Sequence, residues 1–291
     1  MSAPVLSKIG ASGVQNKPGA PPKDDQQVKV KGIFITAGLF NSEDKLSYYL
    51  DLCGRTELNA IVTDVKDDRG LITMEATSDT KKKMLELKRR GIYTIARIVC
   101  FKDQTMGNLR PELAIKNMKG AIWRDSGGNA WLDPYNFETW EYIVEVSLEA
   151  ARAGFDEVQM DYVRFPSDGR LAEIDYGDDT ETKSKADIIS EFLSYARNRL
   201  AKENAKVKIS ADIFGITAVN RGDIENIGQD MELLIWSADV LCPMIYPSHF
   251  ANRRQNGKGQ EINGILFEAP DLFPYDIVYN TLLKLKERLP A

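Results

Sequence analysis

Four charged residues stand at or inside apolar runs, and chemistry can be built on them. Asp64 lies near the end of Ala60–Val65, Asp161 ends Glu157–Asp161, Asp212 lies near the end of Lys206–Phe214, and Arg97 is embedded in Ile92–Cys100. Carboxyl groups brought to one mouth can hold and move a proton, or gather round a hard cation through oxygen ligands alone. Left in separate loops they are ordinary solvated acids. An unpaired arginine inside an apolar strand is costly. Arg97 is therefore expected to pair with Asp64 or Asp161 and to hold that acid ionised. Arg164, three residues beyond Asp161, is the other cation that could tie it down. The single histidine, His249, follows Ala238–Tyr246 within Tyr-Pro-Ser-His, so a His-rich metal centre is not expected.

These residues need elements to hold them. Six strand-like runs start near Val28, Ala60, Ile92, Glu157, Lys206 and Ala238. Helical patterns separate them: Ser42–Leu52, Thr80–Arg90, Asn136–Arg152, Lys185–Glu203, Ile224–Trp236 and Tyr275–Leu289. The runs read as continuously apolar, which suits a parallel sheet covered by helices. No GxGxxG follows the first strand and no GxxxxGK[ST] occurs anywhere, so the usual nucleotide-binding open sheets lose weight. Acids at the ends of strands two, four and five, with Lys102-Asp103 after strand three, would all open on the C-terminal face of a (β/α)8 barrel. The expected fold class is therefore α/β, a TIM-type barrel. It is expected to be incomplete, with six strand–helix units across residues 28–291 and the last two units lacking. Residues 1–27, rich in Gly, Pro and Lys, read as a disordered arm or linker. A hairpin is expected around Asp125-Ser126-Gly127-Gly128, and a polar loop over 251–264.

Composition narrows the partners. A net charge of −5 argues against a general nucleic-acid binder. No apolar run reaches the ~18 residues of a membrane helix. Three widely spaced cysteines, Cys53, Cys100 and Cys242, suggest free thiols rather than a disulfide framework.

Four segments together resemble a known family. Gly154-Phe155-Asp156-Glu157-Val158-Gln159 leading into Asp161-Tyr162-Val163-Arg164-Phe165-Pro166 resembles the fourth-strand motif of a bacterial glycoside hydrolase family with a TIM-barrel domain. That group is distantly similar to the α-amylase and α-galactosidase barrels. Asn59–Asp67, Trp131–Asn136 and Cys242–His249 fit the same pattern in order. The resemblance implies hydrolysis of a polysaccharide or oligosaccharide by two carboxyl groups, with Asp161 as nucleophile. Asp212 on the next strand is the expected general acid. Adjacent strands are ~4.8 Å apart, close to the ~5–5.5 Å of a retaining pair. Asp64, Arg97, Arg164, Tyr246 and His249 are expected to bind substrate. Tyr246, Trp123 and Trp131 could stack on a sugar face, and Trp131 reads equally as a core or hairpin anchor. No cofactor is expected. The resemblance also suggests an extracytoplasmic or membrane-tethered setting, and a segment or second chain covering the open barrel edge. Two other classes compete: a non-catalytic carbohydrate-binding or scaffolding barrel, and a hydrolase holding Mg²⁺ or Ca²⁺ among Asp64, Asp161 and Asp212.

Overall fold

The computed structural model describes residues 29–177, 182–204 and 206–289; the expected arm at 1–27 and Val28 lie outside the described residues. Six strands form one sheet: β1 (Gly32–Ile35), β2 (Ala60–Lys66), β3 (Tyr93–Val99), β4 (Glu157–Asp161), β5 (Lys208–Phe214) and β6 (Val240–Met244). Every pairing is parallel, and spatial order equals chain order. An open doubly wound sheet would reverse its order at a switch point. A sheet that only advances curls round, and this one is a curled half-barrel, an incomplete TIM-type barrel. Among the described strands, β1 pairs only with β2 and β6 only with β5.

Helices α1 (Glu43–Arg55), α2 (Ser78–Arg89), α3 (Phe137–Ala153), α4 (Lys185–Glu203), α5 (Met231–Ser237) and α6 (Pro274–Arg288) follow the strands. Side chains set several of their boundaries. Thr77 caps α2, Asn136 caps α3, and Ser184 with Asp187 closes a reciprocal box at the start of α4. Gly154 ends α3 in the left-handed region, at φ 107°. Of the described helices, none is long and apolar enough to cross a membrane.

The strands are not apolar on both faces, and that corrects the sequence reading. Ile61, Ala96, Ile98, Val158, Met160, Ile209, Ala211 and Ile213 are buried on one face, where α3 packs on β2, β3 and β4. The alternate residues share the concave face. Register places Asp64 beside Arg97, Arg97 beside Gln159, and Gln159 beside Ser210. Partners in register point to the same side, so a polar row crosses four strands. The next row carries Val99 beside Asp161, and Asp212 beside Cys242.

Three segments depart from expectation. The Ile224–Trp236 helix begins only at Met231, because Asp223 accepts bonds from the amides of Ile227, Gly228 and Gln229 and ties that stretch into a loop. Helix α1 outruns the expected Leu52 and continues to Arg55. The expected polar loop at 251–264 holds a short helix, Arg253–Asn256, and half of an antiparallel hairpin, Gln260–Ile262 with Ile265–Phe267. Phe250, Ile262, Phe267 and Ile277 make a small second core beneath it. The hairpin around Asp125 is present, its two arms joined by the isolated bridge of Arg124 to Ala130, and Lys116 bridges to Ile122 on its first arm.

Candidate active site

Arg97 is the hub of the concave face. Its Nη1 donates to Asp64 Oδ1 at 2.6 Å, and Nε and Nη2 both donate to Asp161 Oδ2, at 2.8 and 2.6 Å. Nη2 also donates to Asp68 Oδ1 at 2.8 Å. Burial works against this cation, but Asp161, Asp68 and Asp64 outweigh it and drive its pKa further up. The expected pairing thus holds with both acids at once. Asp68, in the turn after β2, is a third partner. Asp67 brings it there: its Oδ1 accepts the amides of Arg69 and Leu71 and folds the turn back.

Asp161 is fixed from its other side by the backbone. Tyr162 donates its amide to Asp161 Oδ1 at 2.6 Å and sits at φ 48°, a left-handed conformation uncommon for a tyrosine. The chain leaves β4 abruptly there, and the strain lies directly beside the carboxylate.

Asp212 is one strand over. Met160 pairs with Ala211, so the residues that follow, Asp161 and Asp212, stand level on adjacent strands. Asp212 Oδ1 accepts from Gln159 Nε2 at 2.8 Å, and Gln229 Nε2 donates to the Asp212 carbonyl at 3.1 Å. Asp212 is 9% exposed. Burial first, and then repulsion from Asp161, push its carboxyl up to about 8. Burial also raises Asp64, with Arg97 pulling the other way. The site thus pairs a carboxylate locked to a guanidinium with a carboxyl that keeps its proton at neutral pH.

A cavity of about 950 Å³ opens above β4–β6. Arg97, Asp161, Tyr162 and Arg164 line one side, and Tyr246, His249, Phe250, Gln255 and Gln260 line another. The Tyr246 and His249 rings meet edge to face at 5.1 Å. Glu225 and Asn220, from the loop after β5, complete the wall, whereas Asp64 and Asp212 are not among its lining residues. Sequence reasoning misses Glu225, because its neighbours fit a helical period.

Trp131 does not offer a face to a sugar. It is 2% exposed, and its Nε1 donates to Asp125 Oδ2 at 3.0 Å. The Arg164 guanidinium covers its ring at 5.1 Å, so Trp131 is a hairpin anchor. Trp123 is likewise buried, donating to the Arg170 carbonyl. Asp103 is also absent from the site. It is fully buried and pairs with Lys66 at 2.8 Å. In the arrangement expected for Mg²⁺ or Ca²⁺, the Arg97 guanidinium itself fills the position between Asp64 and Asp161. Among the described residues, no three His, Cys, Asp or Glu groups cluster closely enough to hold a metal.

Residues 32–291 match the family model described as "Putative glycosyl hydrolase domain". A hypothetical protein from Ruminiclostridium thermocellum ATCC 27405 is 38% identical, with a TM-score of 0.54 over 62% of this chain and 96% of that one. The α-galactosidase TtGalA from Thermus thermophilus aligns at TM-score 0.50 and 15% identity, over 78% of this chain and 44% of its own. The trehalose-6-phosphate hydrolase of Bacillus licheniformis aligns at 0.54 and 12%, over 89% and 55%. At such identities these two demonstrate the shared fold, and this chain spans about half the length of each. A search of curated proteins found no match. The chain belongs to the glycosyl hydrolase domain family that its sequence matches.

Proposed function

With that membership as premise, we propose that this chain hydrolyses a glycosidic bond in a polysaccharide or oligosaccharide, using Asp161 and Asp212 as its two carboxyl groups. One observation carries the reading: a carboxylate clamped by Arg97 on the cavity wall stands level, on the adjacent strand, with a carboxyl whose pKa is about 8. Glycoside hydrolysis needs that division of labour. One group attacks or supports the developing cation, and the other protonates the leaving oxygen.

Arg97 and the Tyr162 amide hold the Asp161 carboxyl from two sides, so the reacting oxygen is positioned before substrate arrives. Neighbouring strands are ~4.8 Å apart, and a level pair on them fits the close spacing of retaining enzymes, ~5–5.5 Å. Asp64 supports the clamp from the opposite side of Arg97. Arg164, Tyr246 and His249 contact the bound sugar from the cavity wall.

A second proton donor has its own support. Glu225 lines the cavity wall and Asp212 does not. If Glu225 protonates the leaving group, Glu225→Gln will lose turnover and Asp212→Asn will not.

The test is a panel of aryl glycosides and bacterial polysaccharides, run with wild type and Asp161→Asn. Turnover by wild type with a loss of at least ~10³-fold in the variant is expected. Binding without turnover by wild type would favour a non-catalytic carbohydrate-binding barrel. Turnover that survives Asp161→Asn would remove Asp161 from the mechanism.

A further inference from the structure

Arg164 and Arg97 face the same cavity but are provided for differently. Arg97 has three carboxylate partners. Arg164 is more than nine-tenths buried, at 8% exposure, and forms no ion pair with a described carboxylate. Its Nη1 donates to the Phe165 carbonyl at 2.9 Å and to Ser167 Oγ at 3.3 Å, both neutral acceptors. Aromatic rings surround the guanidinium: Phe214 at 4.7 Å, Tyr162 at 5.0 Å and Trp131 at 5.1 Å.

The acids near enough to act on it are engaged elsewhere. Asp161 is held by Arg97 and the Tyr162 amide. Asp125 accepts from Asn129 and Trp131, and Asp168 accepts from the Ser126 amide. Lys102 adds a second cation, 4.7 Å from the Tyr162 ring. Cation–π contacts and neutral acceptors stabilise a buried guanidinium only in part. A guanidinium carries five N–H donors in a planar fork suited to carboxylate or phosphate.

We infer that Arg164 receives an anionic group of the substrate, so that the saccharide bound beside Asp161 carries a carboxylate or a phosphate. This deepens, and rests on, the glycosidase reading. Arg164 follows Asp161 by three residues and lines the same cavity, so the charged group belongs to a sugar unit at or next to the cleaved bond. Inside a partly desolvated aromatic surround, a bidentate oxyanion contact is worth more than a contact to a hydroxyl.

The test uses the full chain carrying Asp161→Asn, so that binding is read without turnover. Probes are oligosaccharides of galacturonate, glucuronate and mannuronate, each against its own methyl ester, and a phosphorylated oligosaccharide against its dephosphorylated twin. Titration calorimetry at two salt concentrations gives the affinities. At least one charged probe is expected to bind ~10-fold or more tighter than its neutral twin, and that probe distinguishes carboxylate from phosphate. Adding Arg164→Gln erases the preference, and Arg164→Lys, which keeps the charge but not the fork, retains part of it. Thermal unfolding of each variant checks that it folds; if Arg164→Gln fails to fold, the Arg164→Lys ratio decides. Charged and neutral twins binding alike, or not at all, would overturn the inference. So would a preference that persists in a folded Arg164→Gln protein, or at full strength in Arg164→Lys. Turnover of neutral glycosides without any charge preference would leave the glycosidase reading standing and this inference refuted.

Discussion

Two ionic networks lie within a few residues of each other at the C-terminal end of the sheet, one sealed and one facing a cavity. Lys66, the last residue of β2, and Asp103, after β3, are both 0% exposed. The Lys66 ammonium is fully used, by Asp103 Oδ2 at 2.8 Å and by the carbonyls of Val99 and Cys100 at 2.5 and 3.3 Å. Asp103 also accepts from the Met106 amide at 2.7 Å and the Tyr142 hydroxyl at 3.3 Å. Nothing is left to offer a ligand. Arg97 is tied just as tightly, but one of its acids, Asp161, lies on the wall of the cavity. A sealed and satisfied pair organises the fold. An open one can act on something that enters. The presence of buried charge does not distinguish the two, but its access to space does.

Swapping the networks for neutral groups should separate them. Asp161→Asn is expected to cost the most activity, ~10³-fold or more in kcat/KM, with the melting temperature little changed, since Arg97 keeps Asp64 and Asp68. Lys66→Met should do the reverse. It leaves Asp103 charged and buried, and should lower stability by ~3–5 kcal/mol in denaturant titrations. The double variant Lys66→Met with Asp103→Leu should recover most of that loss, because a sealed pair can be replaced by apolar packing. No neutral double replacement at Arg97 and Asp161 should recover activity. If Lys66→Met folds normally and loses turnover instead, the division fails.

Smaller effects sharpen the same contrast. Gly70 sits at φ 84°, and a Cβ there would lie 1.8 Å from Asp103 Oδ1. Gly70→Ala should therefore destabilise by ~1–3 kcal/mol, and should disturb turnover only through the Asp68 loop. The pH dependence comes from Asp212. A proton donor works while protonated, so turnover should fall as pH rises through about 8. For stability, the folded carboxyl is raised above its unfolded value of 3.8, so the folded state holds the proton more tightly. Stability is then fullest below about 4 with respect to this group, and declines as pH rises toward 8. Asp212→Asn should flatten that part of the stability profile.

Much of this was legible in the sequence, for identifiable reasons. Asp64, Asp161 and Asp212 stand at or near the ends of apolar runs, and Arg97 interrupts one, so strand reading alone brings them to one end of the sheet. Asp68 escapes it because the Asp67 side chain, not a periodic pattern, folds its turn back. Glu225 escapes because Ile224–Trp236 has helical spacing while Asp223 captures the local amides. Asn263-Gly264, both at positive φ, is a hairpin turn signal inside the stretch that reads as a polar loop. Trp131 shows the limit of residue type: its sequence fits a stacking platform or a hairpin anchor equally, and its burial, its bond to Asp125 and the Arg164 guanidinium over its ring decide for the anchor.

The most direct measurement compares two glycosides of the same sugar in Asp212→Asn, one with an activated aryl leaving group and one with an unactivated sugar leaving group. The unactivated substrate is expected to lose ~10²–10⁴-fold in kcat/KM, while the activated one, which needs no protonation, is largely spared. Equal losses on both substrates, or the same selective pattern in Glu225→Gln with Asp212→Asn unaffected, would contradict Asp212 as the proton donor.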